Sequence, residues 1–303
     1  MRGKIITRIA EGLGNQLFMY ANSYALSKKF NYEFFIDNES GYFQKKNIRS
    51  FQLDNFNIGA TICDQKYKFN NNFKNTKRKF LIKLDIFKKK KNFLIEPTDK
   101  EKRTEFTSFN LNAYSDLLFV EGYYESENYF KDYKIDLINQ FSLKNETVFQ
   151  GNEFYHFIKK NTNIVSICVR QNRFSERKSN KNNEMAIQKS ENFTKKTIDY
   201  IYRAVDFIDK KISNPKYLLW SNDFSNLRNY FPSEKFKFVE NKSNKSLTDF
   251  YLLLNCKNFI VGPTSFHWWP AWLNENKNSL ILRPKDINIS NNVNFWPDHW
   301  VSV

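Results

Sequence analysis

Short polar stretches in the second half of the chain follow apolar runs and could bind a phosphate. Each begins where a predicted buried strand ends: Arg170 after IVSICV, Asn222 and Asp223 after KYLLWS, and Thr264 and Ser265 after NFIVGP. A guanidinium offers a charged, forked set of N–H groups that matches phosphate oxygens. Amides at the start of a helix, together with Thr or Ser hydroxyls, add further donors. These residue types at these places predict a nucleotide-binding site.

Each of these residues also has an ordinary structural interpretation. Arg170 alone could form a surface ion pair, Thr264 or Ser265 could cap a helix, and the tryptophans of SFHWWPAW are better explained as core residues. Asp249, within SLTD, could complete a helix cap, which is the preferred interpretation of that residue taken alone. Its carboxylate could instead accept the N1 and N2 hydrogens of a guanine. The nucleotide site therefore depends on the combination of positions.

Strands and helices alternate along the chain in a way that would position these residues. Residues 4–37 are predicted as strand, helix and strand, and residues 164–284 as five strands alternating with four helices. The helices are expected at about 192–212, 224–231 and 246–257 and from Ser265. The region 41–160 is irregular, with one strand at Asp116–Tyr124. We predict two α/β domains, residues 1–160 and 161–303, the second of them doubly wound.

The segment GLGNQ near the N-terminus is a second candidate phosphate loop. Gly12 and Gly14 lie between an apolar strand and a helix, as in a dinucleotide fingerprint, and Asp37 ends the next strand about where a ribose-binding acid belongs. The third glycine of that fingerprint is replaced by Leu17. A nicotinamide-dependent oxidoreductase is therefore an alternative with incomplete support.

Charge is concentrated in one part of the chain. The net charge is +16, and residues 66–91 hold eleven Lys or Arg residues against one acid, Asp85, hence +10. Aliphatic and aromatic residues interleave these cations, so the segment could be, in this order, a solvated lysine-rich face, a surface that binds an anionic membrane or one that binds nucleic acid. No nucleic-acid partner is expected, because no recognised nucleic-acid motif accompanies the charge. No signal peptide and no run of about 18 apolar residues is present, which favours a cytoplasmic protein.

Metal-ligand patterns are missing from the sequence. There is no Asp-x-Asp pair, the three histidines lack ligand spacing, and the three cysteines, far apart, are expected to be reduced core residues. A sugar transferase that depends on a divalent metal through Asp-x-Asp is therefore disfavoured. We expect no metal and no other cofactor, with Arg170 neutralising a leaving diphosphate.

Four segments together resemble one enzyme family. GLGNQLFMYANSYAL, VSICVRQNRF, LLWSNDFSNL and DFYLLLNCKNFIVGPTSFHWWPAWLN are similar, in order, to the motifs of glycosyltransferase family 11 α-1,2-fucosyltransferases. The resemblance runs from residue 8 to about 284 and is weak over 41–160. It implies a GT-B-like fold of two Rossmann-like α/β domains with the nucleotide-sugar cleft between them. It also implies inverting, metal-independent transfer of L-fucose from GDP-fucose to the 2-hydroxyl of a galactose-type acceptor in a surface glycan.

The resemblance also implies residue roles. By similarity to the family motifs, the donor diphosphate is bound by Arg170, Thr264, Ser265 and the amide of Phe266, and guanine is bound by Asp249. Asn222 and Asp223 match the polar pair that follows the preceding strand. Gly14 and Asn15 match the N-terminal loop, where a related O-fucosyltransferase has a catalytic Asn. Family members usually read His-x-Arg-Arg-Gly-Asp-Tyr where this chain reads CVRQNRF. The missing Asp leaves Glu176 as the nearby candidate for a catalytic carboxylate, and leaves another GDP-linked sugar as an alternative donor.

Overall fold

The structure is a computed structural model that describes residues 3–44, 49–97, 104–176, 180–241 and 245–303. The chain divides into two compact units, Met1–Lys144 with Ser290–Pro297, and Asn145–Ile289 with Asp298–Val303. The predicted domain limits, 1–160 and 161–303, stay a prediction about which segments fold independently.

The first unit is built on a parallel sheet of five strands. They are β1 (Lys4–Arg8), β2 (Glu33–Asp37), β3 (Thr61–Ile62), β4 (Lys91–Ile95) and β5 (Tyr114–Glu121), in the order β3-β2-β1-β5-β4. Its helices are α1 (Leu13–Phe30), α2 (Asn72–Asp85) and α3 (Lys134–Gln140). Every strand pair is parallel. The predicted strand-helix-strand start is confirmed, and the irregular region contributes three more strands to this sheet.

Helix α1 forms where its apolar positions recur at helical spacing. Leu17, Tyr20, Ala21 and Ala25 form this apolar stripe and are all fully buried, as expected for the core-facing side of a helix. The helix starts four residues earlier than that stripe, so Gly14 lies in its first turn and only Gly12 precedes it as the N-cap. It ends where Asn31 takes a left-handed conformation, φ 56°, which Asn tolerates better than most residues.

The second unit is built on a parallel sheet of six strands. They are β6 (Ile164–Val169), β7 (Lys216–Ser221), β8 (Phe236–Phe238), β9 (Asn258–Ile260), β10 (Ile281–Arg283) and β11 (Val301–Ser302), in the order β11-β10-β9-β6-β7-β8. Its helices are α4 (Thr147–Gln150), α5 (Glu153–Lys160), α6 (Glu184–Asp209), α7 (Lys245–Leu254) and α8 (Ser265–Leu273). The five predicted strands are confirmed, and the short β11 is an addition.

Two helix predictions for this unit need correction. The helix expected at 192–212 runs over Glu184–Asp209, because Asn183 caps it by accepting a hydrogen bond from the amide of Ala186. The helix expected at 224–231 is a single 3-10 turn, Leu227–Asn229. In that segment Asn226 takes a left-handed φ of 63°, which interrupts a regular helix.

In the second unit, one face of α6 packs on the sheet and forms the core with it. This face consists of Ile198, Ile201, Val205 and Ile208, which are buried and pack with residues of β6 and β7. Tyr202, at helical spacing from Ile198, is exposed. Every residue of β6 is buried, as expected for the centre of a parallel sheet. The three cysteines are free and buried, as predicted. None of the helices in the described residues is long and apolar enough to cross a membrane.

Candidate functional site

The order of the second sheet creates a switch point next to β6. The chain runs from β6 to β7 and β8 on one side and then returns to place β9 and β10 on the other. The segments after β6 and β9 therefore diverge, and ligands of open α/β sheets bind in the crevice that this leaves at the carboxyl ends of the strands. Arg170 follows β6, and Gly262–Ser265 follow β9. The predicted phosphate-binding residues thus flank the switch point.

Arg170 is partly exposed at this edge and forms an ion pair with Glu176 in the same loop. The partner is the carboxylate that the sequence indicated as a catalytic candidate. An anion that binds Arg170 must therefore share or displace this contact. The pairing places two of the three predicted catalytic side chains together, Asn15 being the third, and makes Glu176 a competitor for the guanidinium.

The segments that follow β6 and β7 are joined by hydrogen bonds that involve the side chains of Asn222 and Asp223. The side chain of Asn222 accepts a hydrogen bond from the amide of Gln171 (2.9 Å) and donates one to its carbonyl (3.1 Å). The Asp223 carboxylate accepts from the side chain of Asn172 (3.0 Å) and from the amide of Ser225 (2.9 Å). This edge of the site is therefore held by side-chain contacts between neighbouring strand ends.

The loop between β9 and α8 is held by hydrogen bonds within the loop and the helix. Thr264 is the N-cap of α8, and its hydroxyl accepts from the amide of His267 (3.0 Å). The amide of Gly262 donates to Nδ1 of His267 (3.0 Å). The capping interpretation of Thr264 is confirmed, and the hydroxyl proton is still available to an acceptor, because a hydroxyl both accepts and donates.

His267 is a buried structural residue that the sequence analysis did not identify. Because Nδ1 accepts the Gly262 amide, the proton of the neutral ring is on Nε2, which contacts the hydroxyl of Ser166 on β6 (3.0 Å). Complete burial lowers the pKa of His267 to about 3. The ring stays neutral near pH 7 and ties the β9–α8 loop to the central strand.

Gly262 brings this loop against the end of β6. A Cβ added there would overlap the carbonyl oxygen of Cys168 and lie 3.2 Å from its Cβ. Burial, followed by the negative charge of Asp249, raises the pKa of the Cys168 thiol. Asp249 on α7 therefore acts on the same strand end that Gly262 contacts. The structure thus brings together residues of β6, α7 and the β9–α8 loop, which are far apart in the sequence.

Asp249 is buried and its orientation is set by a chain of side chains. Its carboxylate accepts from Nδ2 of Asn241 (2.6 Å), whose Oδ1 accepts from Nδ2 of Asn152 (2.9 Å). Oδ1 of Asn152 in turn accepts from the amide of Phe154 at the start of α5 (2.9 Å). The backbone amide of Phe154 therefore fixes which way the side-chain amide of Asn152 points, and through it that of Asn241, in this series of hydrogen bonds. Sequence reasoning missed Asn241 and Asn152, since neither lies in a motif.

The loop after β1 in the first unit has a comparable position. In that sheet β1 is followed by β2 and β3 on one side, and β5 lies on the other, so the segment that contains Gly12 follows the strand at the switch point. No side chain caps α1, in whose first turn Gly14 and the partly exposed Asn15 lie. Among the described residues, the one atom within 4 Å of a Cβ added at Gly12 would be Nε of Arg49, at 3.9 Å. Arg49 is a cation at this loop that the sequence gave no sign of.

The acid that supported a dinucleotide site has a structural role. Asp37 is buried, and its carboxylate accepts from the amides of Glu39 (3.1 Å) and Ser40 (3.0 Å), closing the turn after β2.

Among the described residues, no group of three or more His, Cys, Asp or Glu side chains could hold a metal ion.

Comparisons with known proteins decide the family. A profile of glycosyl transferase family 11 matches residues 4–300. The chain belongs to glycosyltransferase family 11. It is 25% identical to an alpha-1,2-colitosyltransferase of Escherichia coli, over 99% of this chain and 98% of that one, and 25% identical to the O-antigen biosynthesis glycosyltransferase WbnK of the same organism, over 97% and 99%. The fold is similar to that of fucosyltransferase NodZ from Bradyrhizobium, with a TM-score of 0.50, 15% identity and coverage of 89% and 92%.

Family membership confirms the resemblance and the fold class of two Rossmann-like α/β domains. The protein is therefore a glycosyltransferase of family 11, and a nicotinamide-dependent oxidoreductase is not supported. The predicted roles of the site residues stay predictions.

Proposed function

We propose that this glycosyltransferase transfers a 6-deoxy sugar of the L-fucose type from its GDP derivative to the 2-hydroxyl of a galactose-type acceptor, with inversion and without a metal. The observation that carries the proposal is the meeting of Arg170, the N-terminus of α8 and Asp249 around the end of β6. These are a cation for a diphosphate, a set of amide donors and a buried carboxylate for a guanine edge.

In the proposed reaction, the acceptor oxygen forms a bond to the anomeric carbon as the bond from that carbon to the diphosphate breaks. The electron pair of the broken bond leaves with GDP. Arg170, the hydroxyl of Thr264 and the amides of Ser265 and Phe266 stabilise the charge that develops there, a contribution that preorganised donors make without rearrangement. The proton of the acceptor hydroxyl passes to a carboxylate or to solvent.

Glu176 and Asn15 are the proposed residues for the acceptor. Glu176 lies beside Arg170, so binding of the diphosphate to the guanidinium would release its carboxylate to receive the proton. Asn15 enters from the resemblance to the O-fucosyltransferase motif, and it lies partly exposed in the first turn of α1. Asn222 and Asp223 support this site by fixing the loop after β6.

The donor sugar has two candidates. The family motifs favour GDP-fucose, and the similarity to an alpha-1,2-colitosyltransferase favours GDP-colitose, whose sugar is L-fucose without the 3-hydroxyl. A site that hydrogen-bonds this hydroxyl discriminates against the sugar lacking it by about 10⁴-fold or more, whereas a site without that contact discriminates weakly.

The test is mass spectrometry of products formed by the purified chain. GDP-fucose and GDP-colitose would each be supplied with a panel of galactose-ended glycans, with and without EDTA. Transfer of a deoxyhexose to the 2-position in the presence of EDTA is expected. A product linked elsewhere, or a requirement for a divalent metal, would contradict the proposal.

We also propose that the enzyme is cytoplasmic and works at the inner face of a membrane, where a glycan precursor would meet it. The cation-rich segment 66–91 supports this location.

A further inference from the structure

Helix α2 lies within the basic segment and turns Arg78 and Asp85 toward its own unit, with Leu81 and Ile82 half-buried beside them. Arg78 binds Glu121 at the end of β5 through Nε (2.5 Å) and also through Nη2. Asp85 accepts hydrogen bonds from the amides of Asn92 (2.9 Å) and Phe93 (2.9 Å) on β4. Asp85 is the one residue of α2 that the structure describes as buried. Charge and hydrogen bonds thus contribute to the attachment of the helix, together with the apolar side chains of Leu81 and Ile82.

The outward side of α2 is apolar. Phe73, Phe80 and Leu84 follow one another at spacings of seven and four, which places them on one helical face, and Ile86 and Phe87 continue it in the following turn. Phe73 is 81% exposed and Phe87 is 86% exposed. A surface helix of a globular protein has the opposite arrangement, with its apolar stripe against the core.

Lysines surround this apolar stripe. The side chains of Lys77, Lys79, Lys83, Lys89 and Lys90 are exposed, and across the described ranges of the chain no hydrogen bond or ion pair engages their amino groups. Arg78, Lys88 and Lys91 have internal partners and are not counted with them. Lys77 lies within the stripe, where its aliphatic stem can follow apolar surface while its amino group reaches a polar layer.

We propose that this surface, the α2 face, consisting of Phe73, Phe80, Leu84, Ile86 and Phe87 with the five exposed lysines, inserts into the surface of an anionic phospholipid bilayer. Aromatic and aliphatic side chains on one face with lysines beside them are the pattern of helices that lie in the plane of a membrane interface. The inference deepens the proposed location of the enzyme and assigns it to particular residues.

Charge complementarity favours a bilayer over other occupants of the α2 face. A second copy of the chain related by a two-fold axis would bring the same lysines against one another, which is unfavourable. A nucleic acid would satisfy the lysines, and it could stack on Phe side chains, yet it would leave Leu84 and Ile86 without an apolar environment. An anionic bilayer satisfies the charges and buries the aliphatic side chains together.

The test is binding of the full chain to vesicles of phosphatidylcholine with and without phosphatidylglycerol, measured by flotation. Binding is expected only with phosphatidylglycerol, and it should weaken as salt rises. The triple variant Phe73→Ser, Phe80→Ser, Phe87→Ser should bind about 100-fold more weakly, because three apolar side chains no longer leave water. The variant Lys77→Gln, Lys79→Gln, Lys83→Gln should lose a comparable factor of about 100.

Matched controls use exposed apolar residues elsewhere. Ile135→Ser and Met185→Ser change side chains that are 77% and 82% exposed and lie outside the α2 face, and both should bind vesicles like the wild type. Emission of a Trp introduced as Phe87→Trp should shift to shorter wavelength with anionic vesicles, whereas Ile135→Trp should not respond.

Three results would overturn the inference: no vesicle binding by the wild type, equal loss in the control variants, or a dimer in solution that the triple Phe variant dissociates. Binding to RNA but not to vesicles would also overturn it. Transfer to a soluble acceptor is measured on the same variants and should be unchanged. Failure of that transfer in the wild type would count against the proposed function, independently of vesicle binding.

Discussion

Helices α8 and α2 are both rich in large apolar side chains, and they use them in opposite ways. In α8, Trp268, Trp269 and Trp272 are each no more than 1% exposed and their rings contact one another. In α2, Phe73 and Phe80 face outward while Arg78 and Asp85 make the inward contacts. High aromatic content therefore accompanies burial in α8 and an exposed apolar surface in α2. The difference lies in which side of each helix its sheet covers.

The largest expected effect tests this contrast through stability. Trp269→Ala should lower the free energy of unfolding by about 3 to 5 kcal/mol, because it leaves a cavity in a filled core. Phe87→Ala should change it by no more than about 0.5 kcal/mol, because that side chain is already in water. Urea titration of both variants measures the difference. Equal losses would mean that Phe87 packs inside the folded protein and that the contrast is wrong.

The next effect concerns the charge at the end of β6. Arg170→Ala should lower kcat by about 100-fold or more, since it removes a cation from the proposed leaving group. Arg228→Ala is the matched control, because Arg228 is an exposed arginine of the same unit that also pairs with a carboxylate, Glu240. Steady-state rates with saturating GDP-sugar give the comparison. Wild-type kcat in the Arg170 variant would remove the centre of the proposed mechanism.

Gly262→Ala should destabilise the second unit by about 1 to 3 kcal/mol, because the new methyl group would overlap the backbone of Cys168. Gly151→Ala adds the same methyl group where no atom of the described part of the chain lies within 4 Å, and its stability should match the wild type. Thermal unfolding of the two variants checks the prediction. A stable Gly262 variant with full activity would show that the loop can withdraw from β6 without cost.

A smaller effect is expected from the series of hydrogen bonds that orients Asp249. Asn241→Ala should raise the KM for the GDP-sugar about tenfold with little change in kcat, because the buried carboxylate loses a hydrogen-bond donor. Asn241→Asp should be worse, since it brings a second negative charge to Asp249. Asn192→Ala, at an exposed position on α6, is the control. An unchanged KM in both Asn241 variants would argue against guanine recognition by Asp249.

The last effect is a dependence of stability on pH. His267 has an ordinary pKa of 6.5 when unfolded and about 3 when folded, so the unfolded state binds the proton first as pH falls. The stabilising contribution is complete above pH 6.5 and declines at about 1.4 kcal/mol per pH unit between 6.5 and 3. His267→Gln, whose amide can accept and donate at similar positions, should show a shallower slope than the wild type in urea titrations over this range. Parallel slopes would contradict the assignment.

Much of the second unit was predictable because its elements carry strong local signals. The apolar run of β6 and the Thr264 cap each determine structure through neighbours in sequence. The 3-10 turn at Leu227–Asn229 was not predicted, because the left-handed Asn226 interrupts an otherwise helical composition. Arg49, Asn152 and Asn241 were missed because their contacts join segments far apart in the chain, and no local pattern marks such residues.

The amino-acid sequence alone determined the family, the alternation of strands and helices, and the residue types that follow each strand, since these depend on local periodicity and on motifs. Only the tertiary structure decided how those residues are used. In it, Arg170 pairs with Glu176, and Asn222 and Asp223 form hydrogen bonds between neighbouring strand ends. The apolar side of α2 faces outward. The physical reason is that pairing and burial depend on which segments the sheet brings together, and a sheet joins residues that are distant in sequence.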